Sequence, residues 1–315
     1  MRDKGTWSRH DIGDLTGQTA VVTGASTGIG FATARALAAH GARVVLACRD
    51  MDRGRLAAQR MTSAGTRPGV EVEVLDLADL ASVRRFAGRL LQRPASLDIL
   101  VNNAGTAGGP RRLTRDGFEV HLGTNHLGHF ALTILLLPAL RSRPGARVVT
   151  LTSSVAAQGK IDFADLNSER RYRFTSAYAQ SKLASLMFAT ELDRRAREAA
   201  WPLASIAVDP GIVATGLLSS KRDQWGRGRG PGELAVSAVQ RLFGQSPADG
   251  CRTSLYAATA PGLRGGEYVV PGGWGHKRGA AVLAPLPRRA LDQVTARRLW
   301  TVSADLTGVG STVSG

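Results

Sequence analysis

A five-residue strand-like run, Thr19–Thr23, passes without interruption into Gly24-Ala25-Ser26-Thr27-Gly28-Ile29-Gly30 and then into a helical pattern. No other stretch constrains the fold as tightly. A strand that turns through glycines into a helix leaves the first N–H groups of that helix unpaired at the strand's carboxyl end, where the helix dipole also favours negative charge. The glycines let the backbone approach an anion closely. Glycine is ordinary turn material too. The strand before it, the helix after it and the place near the start of the chain nevertheless point to a phosphate-bearing ligand.

The remainder of the 315 residues repeats the alternation of short apolar runs and longer helical ones. Further strands are expected at Arg43–Ala47, Val70–Leu75, Leu97–Val101, Ala146–Leu151, Leu203–Val208 and Glu267–Val270. Helices are expected at Ile29–His40, Asp52–Ala64, Asp79–Gln92, Arg115–Leu140, Ser176–Ala199, Glu233–Phe243 and Arg288–Ser303. Continuously apolar strands suit burial on both faces of a parallel sheet, and β–α alternation implies right-handed crossovers. The expected fold class is α/β: a single-domain, Rossmann-type, doubly wound parallel sheet with helices on both faces, spanning residues 1–315. The Gly- and Arg-rich stretch Ser219–Gly232 reads as a loop inside the fold and marks no domain boundary.

Composition narrows the classes. The formal charge is +16, yet the basic residues are spread along the chain and are nearly all arginine, with lysine only at positions 4, 160, 182, 221 and 277. That distribution argues against a nucleic-acid patch. The apolar stretch Phe130–Leu140 is too short for a membrane span and ends at Arg141, and the polar N-terminus lacks the apolar core of a signal peptide. Two cysteines, Cys48 and Cys251, do not make a secreted disulfide framework, so a cytoplasmic protein is expected. His121, His126 and His129 cluster without carboxylate or cysteine at ligand spacing, and are read as packing or hydrogen-bonding residues with no metal.

The glycine spacing is G-x-x-x-G-x-G. Three further motifs follow in order: Asn102-Asn103-Ala104-Gly105, Tyr178-Ala179-Gln180-Ser181-Lys182, and Pro210-Gly211-Ile212-Val213-Ala214-Thr215. Together they resemble the short-chain dehydrogenase/reductase family. Thr124-Asn125-His126-Leu127-Gly128-His129-Phe130, with Arg298-Leu299-Trp300 and Leu306-Thr307-Gly308, is similar to its retinol-dehydrogenase-like branch. The resemblance runs from about Leu15 to about Gly308. It implies a nicotinamide cofactor held by Gly24, Ser26, Thr27, Gly28, Ile29, Gly30, Asp76, Leu77, Asn103, Ala104, Gly105, Tyr178, Lys182, Pro210, Gly211, Val213 and Thr215. Asp76 would bond the adenine amine, though capping the following helix is an equal reading of it. The end of the second strand holds Cys48 where an acidic residue would select NAD, followed by Arg49, which suits the 2′-phosphate of NADP. Pairing of Arg49 with Asp50 or Asp52 is its ordinary alternative, and Asp50 is a rival candidate for the ribose. NADP(H) is expected over NAD(H).

Tyr178 and Lys182 stand four apart on a helix and so leave one face. A tyrosine is a poor base near neutrality, and an adjacent ammonium is expected to lower its pKa so that it can exchange a proton with a carbonyl–alcohol pair. The resemblance assigns Ser154 to the substrate oxygen, with Ser153 as the alternative, and assigns Asn125 to a water-linked proton path to Lys182. It implies an NADP(H)-dependent oxidoreductase interconverting a carbonyl and an alcohol on a lipophilic or polycyclic small molecule, commonly as a homodimer or homotetramer. An epimerase or dehydratase on the same scaffold and a non-catalytic NADP sensor are the rival readings. Residues from about 212 to 232, with Leu217, Leu218 and Trp225, are expected as a substrate lid, and residues from about 272 to 315 as a C-terminal extension in which Trp274 is a further candidate.

Overall fold

The computed structural model describes residues 7–63, 69–93, 96–213 and 244–310. Thr215, most of the expected lid and the expected helix at Glu233–Phe243 lie outside these residues.

Eight strands form one sheet: β1 (Thr19–Thr23), β2 (Arg43–Cys48), β3 (Val70–Val74), β4 (Ile99–Asn102), β5 (Ala146–Leu151), β6 (Leu203–Val208), β7 (Tyr268–Pro271) and β8 (Ala281–Ala284). Their spatial order is β3-β2-β1-β4-β5-β6-β7-β8. The first seven pair in parallel and β8 runs antiparallel to β7. The order reverses between β1 and β4, which opens a crevice at the strands' carboxyl ends, the place where ligands gather in such sheets.

Helices α1 (Gly28–Ala39), α2 (Met51–Thr62) and α7 (Arg252–Thr259) cover one face, preceded by the single turn α6 (Pro247–Gly250). Helices α3 (Leu80–Leu91), α4 (Gly128–Leu140), α5 (Phe174–Glu198) and α8 (Gln293–Thr307) cover the other. Neighbouring strand residues face opposite layers, as a pleat requires: Val21 packs with Phe86, Phe130 and Trp300, while Val22 packs with Leu37, Met61 and Leu255. The two faces bury separate cores, which accounts for the unbroken apolar runs.

Four expectations need correction. The helix expected from Arg115 starts only at Val120 and runs through a wide π-type turn, Leu122–Leu127, before α4. The helix expected from Arg288 is split: a 3₁₀ turn ends at Leu291, and Asp292 then caps α8 by accepting from the Thr295 N–H. Strand β8, four residues long, and helix α7, eight residues long, lie outside the expected elements because both are too short for their period to show in the sequence. Asp76 does not cap α3; Asp79 does, accepting from the Ala81 and Ser82 N–H groups at 2.9 and 3.1 Å. Among the described residues no helix is long and apolar enough to cross a membrane.

Candidate active site

The glycine turn closes on the Asn-Asn-Ala-Gly segment. Gly24 has φ +65°, and a Cβ on Gly30 would stand 2.4 Å from Asn103 Nδ2 and 2.6 Å from the Gly24 carbonyl oxygen. Only hydrogen fits there. Asn103 Nδ2 donates to the Thr23 carbonyl at 2.7 Å, and the backbone N–H groups of Asn103 and Ala104 both donate to Thr23 Oγ1 at 2.9 Å. Asn103 thus stitches the end of β4 to the end of β1.

Helix α1 begins over this junction without a side-chain cap at Thr27 and without an acid in its first turn, whereas α2 and α3 are capped by Asp50 and Asp79. An uncapped N-terminus behind a glycine turn suits a diphosphate, so the residues present fit a dinucleotide. At the end of β2, Arg49 is exposed and has no hydrogen bond or ion pair among the described residues. Asp50 and Asp52 pair instead with Arg53 and Arg55. Asp50 also spends Oδ1 on the N–H groups of Asp52 and Arg53. Asp76 accepts from the Ala78 N–H in a local turn, and the buried Leu77 packs its carbonyl against Gly128.

Helix α5 carries Tyr178 and Lys182 past the carboxyl ends of β5 and β6. Thr152, one residue beyond β5, pins it by donating to the Lys182 carbonyl at 2.7 Å. Lys182 is buried, donates from Nζ to the Leu151 carbonyl at 3.2 Å, and lies 5.9 Å from the Tyr178 ring centre. Burial pulls Lys182 down to about 8. Burial pushes Tyr178 up to about 12, helped by the charge of Asp209 and opposed by a hydrogen bond from Ser153. The expected lowering of the tyrosine pKa by the adjacent ammonium is not what the chain by itself gives: removal of the phenol from water is the largest influence and raises it.

The π-type turn brings Asn125 to the same place. Its Oδ1 accepts from the Thr106 N–H at 2.7 Å, and its Nδ2 donates to Ser181 Oγ at 2.9 Å, on the turn between Tyr178 and Lys182. A Cβ on Gly105 would sit 3.3 Å from Asn125 Oδ1 and 3.7 Å from Lys182 Nζ. Ser153 and Ser154 follow β5. The hydroxyl of Ser153 faces Tyr178, while Ser154 is exposed and its backbone N–H donates to the Asp209 carboxylate.

Pro210, Gly211 and Val213 leave β6 beside them. Gly211 has φ +73°, and a Cβ there would meet the Lys277 carbonyl at 2.4 Å. Val213 is buried against Gly250 and bridges to Gln245. Trp274, 78% exposed, stands on the turn after β7 with Lys277 Nζ 4.2 Å over its ring.

One residue beside the site was not anticipated from the sequence: Asp209, an acid just beyond the carboxyl end of β6, a position that could have flagged it. The three histidines take the hydrogen-bonding roles expected of them. His121 pairs with buried Glu119 at 2.7 Å and packs edge-on to Tyr178; His126 bonds Ser303; His129 bridges Thr23 and the Asn125 carbonyl. They are hydrogen-bonding residues of a buried helix. Among the described residues no cluster of His, Cys, Asp and Glu could hold a metal.

Residues 18–225 match the short chain dehydrogenase family. Human retinol dehydrogenase 12 is 41% identical over 300 residues, covering 94% of this chain and 88% of that protein. The crystal structure of an uncharacterized protein from Mycobacterium paratuberculosis aligns with a TM-score of 0.77 at 39% identity, covering 96% of this chain and 98% of that one. A structure described as an NAD(P)-dependent gluconate 5-dehydrogenase from Beutenbergia cavernae, with bound NADP at low occupancy, aligns at 28% identity and a TM-score of 0.60, covering 78% and 91%.

Proposed function

The chain belongs to the short-chain dehydrogenase family, in its retinol-dehydrogenase-like branch, and from that premise we propose an NADP(H)-dependent enzyme for a lipophilic or polycyclic substrate in which Tyr178 carries the proton. Family and relatives make it an oxidoreductase that interconverts a carbonyl and an alcohol on a small molecule with a nicotinamide cofactor. The observation carrying the proposal is the convergence of Tyr178, Lys182, Asn125 and the serine pair at the strands' carboxyl ends.

The cofactor supplies or accepts the hydride. The chain's own residues do the rest. Tyr178 stays protonated in its buried setting and donates to the oxygen of a carbonyl under reduction; in the reverse direction it takes the alcohol proton. Ser154, exposed one residue further on, holds the substrate oxygen, and Ser153 orients the Tyr178 hydroxyl. Lys182, with a pKa near 8, is charged in most molecules at neutrality and holds ribose hydroxyls. The Asn125 amide fixes Ser181 and so the turn that carries both residues. Arg49, free of protein partners among the described residues, binds the 2′-phosphate. We read the chain as one domain, with dimer or tetramer assembly as in its family.

The test follows reduced-nicotinamide absorbance with retinal and a polycyclic ketone, comparing NADPH with NADH and wild type with Tyr178→Phe. Consumption with NADPH that falls at least ~100-fold in the variant supports the proposal. Tyr178→Phe activity near wild type overturns it, and product without net cofactor turnover redirects it to an epimerase or dehydratase.

A further inference from the structure

Asp209 is 2% exposed and directly follows β6, before Pro210. Its carboxylate is surrounded by donors. Oδ1 accepts from the Gly211 N–H at 2.8 Å, the Ser154 N–H donates to the same carboxylate, and the Tyr268 hydroxyl donates from β7. One buried side chain therefore ties the serine turn after β5 to the loop after β6, the two walls of the crevice beside Tyr178.

The charges around it are equally one-sided. Lys182 and Tyr178 on α5 and His276 on the turn after β7 lie near enough to interact with it electrostatically. On the far side of those two residues lie the neutral His129 near Lys182 and the Glu119–His121 pair against Tyr178. Burial is the largest influence and holds the Asp209 carboxyl above the usual carboxylate range, against the opposing pull of two backbone N–H donors, the Lys182 ammonium and His276. A protonated carboxyl needs an acceptor, and two of its three hydrogen-bond partners are N–H groups that can only donate. This donor set fits the ionised form.

We infer that Asp209 is a positioning residue for proton transfer: the fixed counter-charge that holds Lys182 charged and Tyr178 protonated, setting the site to donate a proton in carbonyl reduction. The inference rests on the reading of Tyr178 as proton carrier. The anion acts on both partners in the same sense, since it stabilises ammonium over amine and phenol over phenolate. Whichever of the two loses the first proton, removing the anion makes that loss easier, so the coupled pair titrates at lower pH.

The decisive substitution is Asp209→Asn, which keeps an acceptor for the Gly211 N–H and removes the charge. With reduced cofactor and retinal or an aromatic aldehyde as probe, the alkaline limb of kcat/KM for reduction should move about one unit to lower pH. A second readout needs no cofactor or turnover: tyrosinate ultraviolet absorbance, taken as the difference between proteins with and without Tyr178→Phe, should titrate at lower pH in the Asp209→Asn background. Asp209→Ser, whose hydroxyl also serves local turns, repeats both measurements if the asparagine variant does not fold. An unmoved limb together with an unmoved tyrosinate titration overturns the inference. An active Tyr178→Phe enzyme would instead overturn the underlying reading, and the tyrosinate titration would still report on Asp209.

Discussion

Thr23 and His129 are joined by a 2.9 Å hydrogen bond whose direction is set by their surroundings. Burial lowers His129 to about 4, so the ring is neutral. Its Nδ1 lies 3.0 Å from the Asn125 carbonyl and must donate there, which leaves Nε2 to accept from the Thr23 hydroxyl. With its hydrogen committed, Thr23 Oγ1 accepts from the N–H groups of Asn103 and Ala104. A chain of bonds thus runs from the π-type turn to the glycine turn.

Thr23→Val removes the centre of that chain at constant shape. It leaves the Ala104 N–H and the His129 Nε2 acceptor without their partner, while the Asn103 N–H keeps its bond to the Val101 carbonyl. Stability should fall by about 2–4 kcal/mol, read as a lower midpoint in denaturant melts, with weaker dinucleotide binding alongside. A variant as stable as wild type would show the network to be incidental.

Acid should weaken the fold through two histidines. His126 and His129 are lowered by burial from 6.5 to about 3 and about 4. Between pH 6.5 and about 4 the unfolded chain binds protons that the folded one refuses, so stability drops as pH falls through that window. Two such groups give a slope of roughly 2–3 kcal/mol per pH unit at its centre. Denaturant melts across that range should show it, and His126→Gln should make it shallower.

Arg49→Ala should raise KM for NADPH by ~10- to 100-fold, the worth of one charge-assisted contact, and leave KM for NADH within about twofold. Paired cofactor kinetics check this. Equal losses with both cofactors would place Arg49 elsewhere than at the 2′-phosphate.

The two serines should separate by readout. Ser154→Ala should lower kcat/KM about 100-fold with the pH profile in place, as expected for a group that holds the reacting oxygen. Ser153→Ala removes a bond that lowers the Tyr178 pKa, so the rising limb of alcohol oxidation should move to higher pH. Exchange of these outcomes would exchange the roles.

Much of the site was legible because it is written in local backbone chemistry. Gly24 to Gly30, the four-residue spacing of Tyr178 and Lys182, and the Asn-Asn-Ala-Gly and Pro-Gly segments each depend on a few consecutive residues. The parallel order of the strands followed from the β–α alternation. What stayed hidden depends on partners far along the chain. Asp79 instead of Asp76 caps α3 because the end of β3 places Asp79 there, and β8 joins the sheet as an edge strand of four residues, too short for its pattern to stand out.

The sequence by itself determined the strand–glycine–helix junction, the sheet class and the shared face of Tyr178 and Lys182, since φ/ψ preference and side-chain period are properties of neighbours in the chain. Only the tertiary structure decided the electrostatics. Tyr178 stands at about 12 and Lys182 at about 8 because folding takes both out of water and brings Asp209 beside them from another strand. Desolvation and charge depend on distance in space, which spacing along the chain does not encode.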